Sequence, residues 1–298
     1  MKKIYIIAKR NLTENLGLKK TWAYSLSIIF SSMLGMKLFA SQSSSFLDQL
    51  AQLQGSFFII GFFWVIGVPY FLYIGSISTS SISKEVNDGT IMLAFTRPLK
   101  RYEFLAGKFL GIFLYGILLN LFILAVLSSM IGISWHLDNA ASSSVYHVAI
   151  ALFSYSILAT LLIVSFGMLL SCVLRKNIIG MAALFAFIVL AFFAPPVISM
   201  KFPSYQSSFP DAAFLIGSAA TKMLGHFGVE LYPEAKAVLA NSVGVYSITS
   251  GMDGIPGYVA DPEPVRNSSF FSLIFVILLI AGLLYAASLV SIKSKEIY

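Results

Sequence analysis

Residues 80–108, SSISKEVNDGTIMLAFTRPLKRYEFLAGK, form the one charged, motif-bearing stretch between two long apolar runs. The stretch opens with Glu85 and Asp88 and turns at Gly89-Thr90. It continues through Ile91, Met92, Leu93, Ala94 and Phe95, then breaks at Pro98 inside the basic group Arg97, Lys100 and Arg101. Proline disfavours helix at and before its own position, so this composition suits a helix-turn held at a membrane face. The flanking chain agrees. Its 298 residues are 58% hydrophobic and 11% charged, against about 25% charged in soluble domains. The chain is an integral membrane protein, read as one polytopic bundle.

About 20 consecutive apolar residues cross a bilayer as helix. That rule gives six spans: Thr21–Phe39, Gly55–Thr79, Leu105–Leu127, Tyr146–Cys172, Ile178–Ser199 and Phe270–Ile292. The second span is expected to kink at Pro69 and the fifth to end at Pro195-Pro196. Residues 1–20 place Ile4, Ile7, Ala8, Leu12 and Leu16 at helical spacing opposite Lys2, Lys3, Lys9 and Arg10, the pattern of an amphipathic helix in the interface. Residues 21–298 then make the transmembrane domain, with 80–104 as its cytosolic segment and 200–269 as an external subdomain.

Charge placement orients this plan. Fifteen of the 20 Lys and Arg residues fall in the segments assigned to the cytosol, with five acids; the outer segments hold five bases and eight acids, which accounts for the net +7. By the positive-inside rule both termini are cytosolic; the location expected for this multi-pass protein is the plasma (inner) membrane. The same alternation explains the basic charge without nucleic acid. The external subdomain is expected to hold a short helix within Asp211–Val229 on or in the outer leaflet, a second helix from Pro233 and a turn-like Gly251–Pro264.

The order Glu85, Gly89-Thr90, Leu93, Thr96, Pro98, Arg101, Gly107-Lys108 resembles the pattern between the second and third spans of type-2 ATP-binding-cassette (ABC) transporter permeases. The resemblance implies an all-α membrane fold of six helices, an N-terminal elbow helix, a cytosolic coupling helix between helices 2 and 3, and a large loop between helices 5 and 6. It implies as partners a separate nucleotide-binding ATPase subunit, which carries ATP and Mg, and a second permease copy. Glu85, Asp88, Gly89, Thr90, Ile91, Phe95, Pro98 and Arg101 are then the residues that couple to the ATPase. Loss of Glu85 is expected to weaken that coupling.

Catalysis and cofactors are not expected of this chain. Gly107-Lys108 fails the phosphate-loop pattern, because Tyr102 stands where its first glycine belongs and Phe109 follows the lysine. The three histidines have no helical pairing that suggests a metal, and lone Cys172 excludes an internal disulfide. No ionisable residue falls mid-span, which disfavours a secondary carrier. Asn120, Tyr70 and Tyr73 are polar candidates for a pathway, with Tyr155 and Thr160 beside them, although interhelical hydrogen bonds explain such residues as well. Gly107 and Gly111 form a GxxxG pair suited to close helix approach. The leading expectation is export of a substrate; the alternative is a mechanotransmitter acting on an external partner through residues 200–269.

Overall fold

The computed structural model describes residues 2–17, 19–39, 46–87, 100–174, 176–201, 212–247, 263–265 and 269–294. Helix α1 (Lys2–Leu16) turns at Gly17 into α2 (Lys19–Phe39). Next, α3 (Phe46–Ile60) passes through a π-helical turn, Gly61–Val65, into α4 (Val68–Asn87). The remaining helices are α5 (Arg101–Ser134), α6 (Asn139–Val173), α7 (Asn177–Lys201), α8 (Ala212–His226), α9 (Pro233–Val243) and α10 (Phe270–Ser294). A two-residue antiparallel pair, Tyr246–Ser247 with Glu263–Pro264, is a small departure from the all-helical expectation.

Helix lies at each of the six predicted spans. Among the described residues, four segments are long and apolar enough to cross a membrane: Leu50–Asn87, Arg101–Ser134, Ala141–Val173 and Phe270–Ile292. The apolar stretch Asn177–Phe192 is shorter, and α2 is diluted by Thr21, Ser25, Ser27, Ser31 and Ser32. At 34 and 35 residues, α5 and α6 are each about 50 Å long at 1.5 Å per residue. They outreach a hydrocarbon core of about 30 Å. α6 is the centre of the bundle, packed against α4, α5, α8 and α10.

Three sequence expectations change. The irregularity in the second span precedes Pro69, which sits in the first turn of α4; the ladder widens instead at Gly61–Val65, closed by Ile66 N–H to Gly61 O at 2.9 Å. A proline ring clashes with the carbonyl four residues earlier, so the distortion appears one turn upstream. Gly67 allows it, since a Cβ there would overlap the Phe62 and Phe63 carbonyl oxygens. Second, α7 does not end at Pro195-Pro196 but runs on to Lys201. In an apolar medium the neighbouring peptide groups have no better partner than the helix itself. Third, of the two placements expected for α8, on or in the outer leaflet, the surface one falls: Phe214, Leu215, Ile216, Ala219, Ala220, Met223 and Leu224 are buried, against α6, α7 and α10. α9 begins at Pro233 as expected and ends on Gly244, whose φ of 68° is the left-handed cap that glycine tolerates. Of Gly251–Pro264, residues 251–262 lie outside the described residues.

Candidate coupling and transport site

The helices that flank the motif are joined to each other. Glu85, in the last turn of α4, receives a hydrogen bond from Lys108 Nζ of α5 at 2.5 Å, with side-chain exposures of 29% and 15%. Lys108 also lies over the Phe104 ring, 5.7 Å from its centroid. An ammonium about two turns inside a largely apolar helix is costly without a counter-ion, and Glu85 provides one. α5 starts cleanly because the Glu103 carboxylate accepts the Lys100 N–H at 3.1 Å, and an acid in the first turn suits the helix dipole. Arg101 Nη1 donates to the Ile292 carbonyl at 3.2 Å in the last turn of α10. That carbonyl belongs to a helix end, where acceptors lack intrahelical partners.

α1 is seated on the same end of α5. A Cβ on Gly107 would stand 2.7 Å from Ile7 Cβ, and one on Gly111 would stand 2.9 Å from the Ala8 carbonyl oxygen. The GxxxG pair therefore serves packing within the chain. The buried face of α1 is more polar than its periodicity suggests: Asn15 donates to Asn11, Asn11 donates to Lys108 O at 3.4 Å, and Leu16 is exposed. Thr21 then links four helices. Its hydroxyl donates to Asn15 O at 2.7 Å and lies 3.1 Å and 2.9 Å from the Tyr73 and Tyr115 hydroxyls.

Of the residues singled out from sequence, Glu85 and Arg101 come to the basic end of the bundle, each engaged within the chain. Asp88, Gly89, Thr90, Ile91, Phe95 and Pro98 lie outside the described residues. The polar candidates are spread along the interior. Tyr70 and Thr160 share a hydrogen bond of 2.6 Å between α4 and α6, as expected of interhelical pairing. Tyr73 belongs to the Thr21 joint and stacks on Tyr24 with centroids 4.2 Å apart. Asn120 is fully buried and makes no hydrogen bond through either amide atom. Sequence reading missed Lys108 as the partner of Glu85. The signal was present, since Lys108 is the single cation of the third apolar run. It also missed a concavity of about 410 Å³ whose walls include Ser218, Thr221, Lys222, His226, Tyr246 and Phe270. No group of three or more potential metal ligands occurs among the described residues.

A bundle of long apolar helices whose interior is bridged by hydroxyls suits a membrane domain. The family profile described as ABC-2 family transporter protein matches residues 5–296, and the chain belongs to that family. No curated protein matches the chain closely enough to count as a relative. It is thus a permease subunit of an ABC transporter, a membrane component whose kind of partner is an ABC ATPase.

Proposed function

We propose that the chain is the permease subunit of an exporter, with six spans, both termini in the cytosol and residues 80–104 as the coupling segment. A second copy would complete the membrane domain, and two ATPase subunits, binding ATP and Mg, would drive it from the cytosol of a cell with this protein in its inner membrane. The observation that carries this reading is the Glu85–Lys108 pair. It ties together the two helices through which a push on residues 88–99 must enter the membrane. The seat of α1 on Gly107 and Gly111 and the Arg101 contact with α10 extend that rigid end to four helices. A displacement of the segment would move α1, α4, α5 and α10 as one body, because close-packed interfaces transmit strain rather than absorb it.

Purified permease and ATPase in proteoliposomes test this. Substrate export that needs ATP hydrolysis, and that is lost when residues 88–99 are replaced by a Gly/Ser linker while the permease still inserts, is the expected result. Transport that follows an ion gradient without ATP would overturn it. The mechanotransmitter alternative draws on the concavity beside α8. It expects ATP-dependent capture of an external protein with no solute moved.

A further inference from the structure

The concavity beside α8, about 410 Å³ in volume, falls within the range of small-ligand sites, about 300–1,000 Å³. One of its walls is a single face of α8: Ser218, Lys222 and His226 stand at i, i+4 and i+8, with Thr221 and Gly225 beside them. The other is mostly apolar, formed by Val245, Tyr246, Pro264 and Phe270. Ser218 is 3% exposed and its hydroxyl has no hydrogen-bond partner, whereas Thr221 spends its proton on the Gly217 carbonyl at 3.0 Å. Gly225 leaves the polar wall open, since a Cβ there would meet nothing within 4 Å. The His226 ring is held against Phe270, with centroids 5.1 Å apart and planes 6° from parallel. A cation in the last turn suits the helix dipole. The dipole gives no reason, however, for an unpaired buried hydroxyl two turns earlier on the same face.

The place of the concavity in the fold decides what else a ligand must be. Phe270 opens the apolar stretch Phe270–Ile292 of α10, long enough to cross a membrane, and the adjoining Phe271 and Phe275 are 80% and 65% exposed. The concavity therefore sits where a spanning helix begins, the level of the polar headgroups. The Arg101 contact at Ile292 marks the other end of that helix, about 33 Å away at 1.5 Å per residue. We propose that this face of α8 binds the oxyanion head, carboxylate or phosphate, of an amphiphile whose apolar chain stays in the membrane along α10. The Ser218 hydroxyl, the Lys222 ammonium and the His226 imidazole supply the donors, the last in either protonation state. Lys222 and Tyr246 also have interactions within the chain, so the ligand shares them. No Asp or Glu stands among the described lining residues to repel it. Charge-assisted hydrogen bonds are roughly twice as strong as neutral ones, which favours an ionised head over an alcohol. Occupancy requires neither the ATPase nor export, only that α10 crosses the membrane.

The experiment melts the full-length permease in nanodiscs of phosphatidylcholine, which carries no net charge, with dodecyl phosphate, dodecanoate, 1-dodecanol or inorganic phosphate as probe. Dodecyl phosphate and dodecanoate are expected to raise the melting temperature of the wild type by at least about 2 °C, and 1-dodecanol and inorganic phosphate by less than half as much. Gly225→Leu puts a side chain into the open place on the wall. It should abolish the shift yet melt no lower than the wild type without ligand, since Leu is the better helix former. The double variant Ser218→Ala/His226→Gln should lose at least half of the shift. No shift from either anionic amphiphile, or an equal one from 1-dodecanol, would overturn the oxyanion site; an equal shift from inorganic phosphate would overturn the amphiphile. A shift retained in Gly225→Leu would mean that the anions act elsewhere on a basic protein. Should that variant not fold, retention of the full shift in the double variant overturns the site and its loss supports it.

Discussion

Lys108 is the residue on which the basic end turns. Its ammonium sits 15% exposed against a carboxylate 29% exposed, between an exposed pair worth under about 1 kcal/mol and a buried charged hydrogen bond of about 1.5–3 kcal/mol. A double-mutant cycle with Glu85→Gln and Lys108→Met should therefore return a coupling energy of about 1–2 kcal/mol in the stability of the permease without any ATPase. A coupling near zero would mean that the pair forms no bond of consequence. Arg101 is different, because its described contact is with a backbone carbonyl at a helix end. Arg101→Lys should retain part of that contact and Arg101→Ala lose it, which hydrogen exchange at the last turn of α10 would report.

At the scale of the element, α1 and the second span each depend on a glycine that sequence alone could only mark as permissive. Gly111→Val places a side chain into the Ala8 backbone, and overpacking of this kind costs about 1–3 kcal/mol. The expected result is a lower melting temperature together with protease access to residues 2–16; a variant as stable as the wild type and equally resistant would show that α1 is not seated there. Gly67→Ala should be severe for another reason, since its Cβ meets carbonyl oxygens of its own π-turn. Only a shift of the π-turn could make room, so helical content near 61–68 and the Phe62 contact with Tyr155 should change together. Ser171 adds a quieter tie: its hydroxyl accepts from the Ile82 and Ser83 N–H groups at 3.0 Å each, which fixes α6 against the α4 turn that leads into the motif.

For the whole molecule, topology and the external subdomain are the open measurements. In a Cys172→Ser background, cysteines at Asn87 and Ser143 should be labelled from opposite sides, with Asn87 cytosolic. Both positions are exposed, which buried Ser83 is not. Labelling of both from one side would end the six-span plan. Deletion of residues 212–243 should destabilise the bundle rather than remove an appendage, because α8 buries Phe214, Ala220 and Leu224 against α6 and α10, and α9 covers α7. A deleted protein that still melts near the wild-type temperature would instead make 200–269 a separable unit, as a mechanotransmitter would need.

Hydropathy by itself was enough to establish a membrane protein, to find helix at each proposed span and to mark the charged stretch between the second and third. Those properties depend on local composition, and the cost of an unpaired peptide group in lipid forces long apolar runs into helix whatever the rest of the chain does. The close approach at the GxxxG pair and an interhelical hydrogen bond for Tyr70 and for Thr160, though not their pairing with each other, were legible for the same reason, as small and hydroxylic residues in apolar helices have few other uses. Only the tertiary structure decided that Glu85 faces Lys108, that Arg101 reaches a carbonyl 191 residues away, that α8 is buried, and that Asn120 and Tyr155 are buried without a hydrogen-bond partner. Helices apolar on every side carry almost no signal of their rotation, because lipid and neighbouring helix reward the same side chains. Which polar groups meet is set by that rotation and by the register between helices, and packing alone determines both.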